Sequence, residues 1–216
     1  MLTRFLLSQG SLVSPTLLRA TTLAALLAMT GCVSFNVTGP IVPPAHPVNA
    51  ASPRTAQIAD VVVSAPGLDE ATRKAVSRSL TAELDRYVDK AGYFKAMSQY
   101  PTRLDEQDVM LRFDMTSLKG HRAPHPGYFP GALLTLTLWI WVNGPIYVDR
   151  FDLAGDLVIL DRNGVELARA QDQIKFEHNV GLYGRDYWAP TVTGSKQLTQ
   201  LVGELLDNAT TQLAKR

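Results

Sequence analysis

The sequence predicts an α+β domain. A mostly antiparallel sheet of about five to six strands should carry two amphipathic helices on one face, as a two-layer sandwich. Three observations support this. Apolar residues recur at helical spacing in two stretches, from Val76 to Ala91 and from Leu198 to Leu213. Between them, apolar and polar residues alternate with the two-residue period of a half-buried strand. Of the 216 residues, 46% are apolar and 19% charged, which suits one folded domain with appendages rather than disorder.

The first segment is unlike the rest. Arg4 and Arg19 are its only charges, and Ala20 to Thr30, "ATTLAALLAMT", has none. A membrane-crossing helix needs roughly 20 apolar residues, so this shorter run reads as the apolar region of a secretory signal. The chain's one cysteine, Cys32, comes just after it and can form no internal disulfide. Met29-Thr30-Gly31-Cys32 resembles the bacterial lipobox, in which an apolar residue and two small ones precede a cysteine. Met29 stands where leucine is usual. The resemblance implies removal of residues 1–31, a diacylglyceryl thioether on Cys32 and acylation of the new amino terminus. Several acyl chains hold a protein stably where one is marginal. Val33 and Ser34 follow, where inner-membrane lipoproteins of enteric bacteria carry Asp. The resemblance therefore implies the outer membrane, with the domain facing the periplasm.

Residues 32–56 then read as a lipidated cysteine and a tether. Pro40, Pro43, Pro44, Pro47 and Pro53 remove donors and fix φ, so an extended linker should lift the domain, residues 57–216, off the bilayer.

Within the domain, "IADVVVSA" (58–65) is a buried strand closed by Pro66-Gly67. Asp69 caps the first helix, whose stripe is Val76, Leu80, Leu84, Tyr87, Val88 and Ala91, and Gly92 ends it. Residues 93–98 form a short edge strand. Residues 108–118 alternate, with Val109, Leu111, Phe113 and Met115 on one face. "ALLTLTLWIWV" (132–142) also alternates, with Leu134, Leu136, Leu138, Ile140 and Val142 opposite Thr135, Thr137, Trp139 and Trp141. Asn143-Gly144-Pro145 breaks that run. Residues 147–160 and 165–177 form a hairpin around Asp161-Arg162-Asn163-Gly164, a type I turn with a glycine bulge. Thr193 or Ser195 caps the last helix, roughly 194–214. This element order resembles the periplasmic α/β domains of the curli-secretion lipoprotein, the penicillin-binding-protein activator lipoproteins and the N-terminal domain of TolB. It does so in order alone, and it transfers no functional residue.

No catalytic set emerges. Cys32 is committed to lipid, no serine lies in a glycine-flanked elbow, and no glycine loop cradles phosphate. His121 and His125 have the spacing of a helical metal pair, but Pro124, Pro126 and Gly127 oppose a helix there. Asp149, Asp152 and Asp156 read as solvent-face strand residues and Asp161 as a turn acid. No enzyme, metal or cofactor is expected. With no clustered basic stripe, nucleic acid is not an expected partner.

Two loops stand out: "HRAPHPGYFPG" (121–131) and "NVGLYGRDYWAP" (179–190). Tyr183, Arg185, Tyr187 and Trp188 have the composition of a binding hot spot, unless they pack over the sheet edge. Trp139 and Trp141 pose the same choice. One function class is a non-enzymatic outer-membrane lipoprotein that binds an envelope protein, or a second copy of itself, as an accessory of an assembly, secretion or transport system. The other is a lipoprotein that binds a small molecule or glycan. A third arrangement makes 132–160 a membrane-piercing hairpin of an oligomer. A flat, exposed Trp139–Trp141 face favours a protein partner, and a closed pocket favours a ligand.

Overall fold

The computed structural model describes residues 32–48, 51–135 and 138–215. The expected signal segment, residues 1–31 with Met29, Thr30 and Gly31, lies outside the described residues, as do Leu136 and Thr137. The sheet contains β1 (Val33–Asn36), β2 (Ser52–Ile58), β3 (Val62–Val63), β4 (Phe94–Ser98), β5 (Val109–Pro124), β6 (Tyr147–Leu160) and β7 (Glu166–Val180). Its order is β4-β2-β5-β6-β7, with β1 and β3 also paired to β5. β5, β6 and β7 run antiparallel, as does β1 on β5. β2 and β3 are parallel to β5, so the sheet is mixed. The helices are α1 (Glu70–Ala91), α2 (Tyr128–Leu134), α3 (Leu138–Trp141), α4 (Arg185–Trp188) and α5 (Pro190–Ala214).

The expected α+β architecture is present. Every residue of the predicted α1 stripe is buried. Asp69 Oδ1 accepts the Thr72 N–H at 2.9 Å, and the two bonds from Thr72 hold the Asp69 carboxyl below the ordinary carboxylate range. Gly92 closes the helix at φ 69°, a left-handed conformation that costs glycine little. Leu198, Leu201 and Leu205 of α5 meet Leu111, Phe113, Leu153 and Leu157 in the core, all fully buried. Asp161 holds the β6–β7 turn by accepting the N–H groups of Asn163 and Val165, both at 2.8 Å, with Gly164 at φ 78°.

Four expectations are corrected. First, the described residues of the expected tether, 33–48 and 51–56, are not a free linker. Val33–Asn36 pairs with Lys119–Arg122, and Val37 and Ile41 are buried. The following residues are stitched between the helices: Ile41 N–H donates to Glu83 Oε2 of α1 at 2.7 Å, and Ser195 Oγ of α5 donates to Gly39 O at 2.6 Å. Proline removes donors but does not prevent such a segment from burying its apolar side chains. Second, the strand expected over 58–65 is divided. Val61 bonds to α1 instead of a strand, its N–H to Thr81 Oγ1 and its carbonyl to Ser77 Oγ.

Third, the described residues of 132–142, which are 132–135 and 138–142, do not form a strand. β6 is paired to β5 on one side and β7 on the other, so a strand here would find no free edge on it. The backbone satisfies itself locally instead. Gly131 N–H reaches Gly127 O, and Thr135 Oγ1 accepts the Trp139 N–H at 2.9 Å and so holds α3 to α2. Among the described residues, the first arm of the expected membrane-piercing hairpin is helical at Tyr128–Leu134 and Leu138–Trp141. Fourth, Thr193 and Ser195 are not caps. Pro190, pre-set for a first helical position, starts α5 earlier and leaves both residues buried inside it.

Candidate functional site

The register brings several segments to one end of the sheet. Val33 faces Arg122, Pro124 faces Tyr147, and Tyr147 faces Val180. At this end lie the start of β1 at Val33, the α2–α3 insert between β5 and β6, and the loop that carries α4 after β7. Ile146, Val148 and Val180 are buried beneath these excursions but do not belong to the main core.

An ion pair lies at the base. Asp149, expected on a solvent face, has a side chain with no exposure, and that of Arg122 retains 12%. Arg122 Nε and Nη2 donate to Asp149 Oδ1 and Oδ2 at 2.6 and 2.7 Å, the forked geometry of the strongest charge-assisted bonds. These bonds hold the guanidinium even more firmly protonated than usual. The same guanidinium binds the loop, donating to Tyr187 O at 2.7 Å and to Asp186 O. It also lies 5.3 Å from the Tyr147 ring centroid, a cation–π distance.

Aromatic side chains build outward from this base. Tyr147 and Tyr187 approach at 5.7 Å, and Trp188 meets Tyr187 edge-on at 4.8 Å. Partial burial raises the Tyr187 phenol above its ordinary pKa. His178 Nε2 lies 3.1 Å from Asp186 Oδ2 and ties β7 to the loop. Asn143, in a left-handed conformation at φ 58°, accepts the Tyr183 N–H at 3.1 Å and joins insert to loop.

The insert has an inside and an outside. Trp139 is half-buried, and its indole N–H donates to Pro145 O at 3.2 Å. A Cβ at Gly131 or Gly144 would strike its ring, so the two glycines form its seat. The outward side chains are apolar: Leu133 is 77% exposed, Leu134 83%, Trp141 73%, Val142 75% and, from the loop, Trp188 80%. All five are large apolar side chains left open to solvent.

No protein-family model matches the chain, and no curated protein does. Several solved structures are similar to most of the chain, each with a TM-score below 0.5. Protein XCC0632 from Xanthomonas campestris, of the DUF330 family, is 11% identical with a TM-score of 0.49, over 81% of this chain and 95% of that one. A Helicobacter pylori protein described as a neuraminyllactose-binding hemagglutinin homolog is 15% identical with a TM-score of 0.40, over 77% and 89%. A minor lipoprotein from Acinetobacter baumannii is 12% identical with a TM-score of 0.37, over 74% and 95%. Likenesses this distant transfer no function.

The structure brings Trp141, Tyr183, Arg185 and Trp188 to one end with their side chains exposed. Tyr187 and Trp139 join them as internal supports. Cys32, exposed, immediately precedes β1. Trp139 and Trp141 do not share a strand face, because both lie on α3 and diverge. His121 lies within β5, where its ring is 3.3 Å from Ser34 Oγ, and His125 lies beyond the strand end. Arg122 and Asp149 were not singled out as site residues from sequence. Arg122 falls in the quoted 121–131 stretch, which gave no sign that it would pair inward.

Proposed function

We propose that this chain is a non-enzymatic lipoprotein of the bacterial envelope, held at the outer membrane by an acylated Cys32. Its aromatic loop binds a protein partner as an accessory of an assembly, secretion or transport system. The lipobox residues support the anchor. The observation that carries the binding role is the clamped display of the loop: Arg122 fixes the backbone at Asp186 and Tyr187, and Tyr183, Arg185 and Trp188 stay exposed. A contact surface fixed in advance loses less entropy on binding. Tryptophan, tyrosine and arginine are also the side chains that dominate protein interfaces.

A small-molecule reading has one observation of its own, an open depression of about 400 Å³ where β5, β6 and β7 adjoin. Gly120, Phe151 and Phe176 are among its lining residues, with Lys119, Arg150 and Glu177. No tryptophan contributes to it, so the exposed aromatics favour the protein partner.

A photoreactive residue at position 185, irradiated in the native envelope, should capture a distinct protein. Trp188→Ala should weaken its recovery by about 2 kcal/mol, roughly 30-fold, at unchanged melting temperature. Undiminished recovery per folded molecule in that variant contradicts the binding role.

A further inference from the structure

We infer that the α2–α3 insert docks on the membrane itself, its apolar side chains immersed in the leaflet that holds the Cys32 acyl chains. This rests on the proposed lipidation.

The occupant follows from position and chemistry. Val33 opens β1 opposite Arg122, and β5 ends two residues later at Pro124, before the insert. Adjacent strands lie about 4.8 Å apart and bonded Cα atoms about 3.8 Å apart. The residue bonded to Val33 is therefore at the end of the sheet from which the insert leaves. No linker intervenes, because the expected tether is part of the fold. Acyl chains on Cys32 would bring the bilayer directly to this end.

The insert suits that surface. Residues 123–148 contain no Asp, Glu, Lys or Arg. A protein interface ordinarily carries a polar, charged rim, whereas hydrocarbon requires its absence. No described helix is long and apolar enough to cross a membrane, and α2 and α3 have only 7 and 4 residues. They fit a position along the interface, where an apolar face sinks partway and tryptophan is favoured. Trp141 points outward, and Leu133, Leu134 and Val142 are exposed with it. One acyl anchor and one apolar surface together make the two-signal attachment that holds a domain close to the bilayer.

All three tryptophans of the chain belong to this end. In a Trp188→Phe background the remaining two, Trp139 and Trp141, report the insert alone. The lipidated full-length protein is reconstituted into vesicles of phosphatidylethanolamine and phosphatidylglycerol brominated on the acyl chains. Flotation reads attachment, and loss of tryptophan emission reads immersion. The expected result is flotation with strong quenching and a blue shift. Leu133→Glu with Leu134→Glu should keep flotation and lose the quenching. Flotation without quenching in the parent overturns the docking while leaving the anchor intact. Quenching unaffected by the paired glutamates overturns it too. So does sedimentation as a dimer whose tryptophans are shielded from acrylamide but not reached by bromine, which gives the face to a second copy. If mass spectrometry finds Cys32 unmodified, the anchor reading fails. Quenching on mixing the protein with the same vesicles then still supports docking, and its absence overturns it.

Discussion

Replacing Arg122 with alanine removes the side chain that pairs with buried Asp149 and also donates to the loop carbonyls of Asp186 and Tyr187. The Asp149 carboxylate, with no exposure, then stands without its counter-charge. Breaking a buried pair from one side costs about 3–5 kcal/mol. The carbonyls of Tyr187 and Asp186 also lose their donor. They lie in a half-exposed loop that water can reach, so they add little. At roughly 2–4 °C per kcal/mol for a domain of this size, Arg122→Ala should lower the melting temperature by about 6–20 °C. Arg122→Met combined with Asp149→Leu should recover most of that loss, because an apolar pair of similar volume needs no desolvation of charge. The combined variant still lacks the clamp, so the backbone amides of residues 184–188 should exchange faster than in the parent. Melting followed by circular dichroism gives the stability, and hydrogen exchange gives the loop. Arg122→Ala melting within about 2 °C of the parent, less than the shift expected for 1 kcal/mol, refutes the buried-pair reasoning. So does a combined variant that melts as low as the single one.

Other outcomes follow from the same structure. Leu205→Asp places a charge at a fully buried position of α5 and should leave no cooperative thermal transition; a parent-like melt contradicts the core assignment. Gly120→Val puts atoms where the Phe35 ring lies, so β1 should detach. Hydrogen exchange should then accelerate at residues 33–36 and stay slow in α5, and unchanged protection of β1 contradicts its place in the sheet. Burial, with a bond from Tyr93 Oη to Asp207 Oδ1 at 2.7 Å, raises the Tyr93 phenol far above its ordinary value. The folded state therefore keeps a proton that the unfolded chain releases from about pH 10 upward, so this stability is complete below that pH and lost above it. Tyr93→Phe should flatten the alkaline limb of a stability profile, and an unchanged limb contradicts the coupling.

Some of this was readable in advance. α1 was legible because its stripe, its Asp69 cap and its Gly92 stop all agree, and the β6–β7 turn because Asp161 and Gly164 occupy the positions a bulged turn requires. The insert was misread although its alternation is real. Periodicity says nothing about whether a sheet edge is free, and β6 has none. The tether was misread because composition does not reveal that Val37 and Ile41 find burial beside the helices.

The Arg122–Asp149 pair divides the same way. Asp149 shares strand parity with Phe151, Leu153, Leu157 and Ile159, all buried, so its inward direction was available. Arg122 has the opposite parity to Leu111 and Phe113. It reaches the inner side only because the register shifts between Met115 and Ser117. No residue pattern in β5 marks that irregularity.

The membrane anchor is tested most directly at the amino terminus of the protein isolated from its native envelope. Tryptic digestion should release a peptide running from Cys32 to Arg54. Its mass should include a diacylglyceryl thioether on the cysteine and a further acyl group on its amine. A peptide with a free Cys32 thiol, or one extending upstream through Gly31, contradicts the lipid anchor.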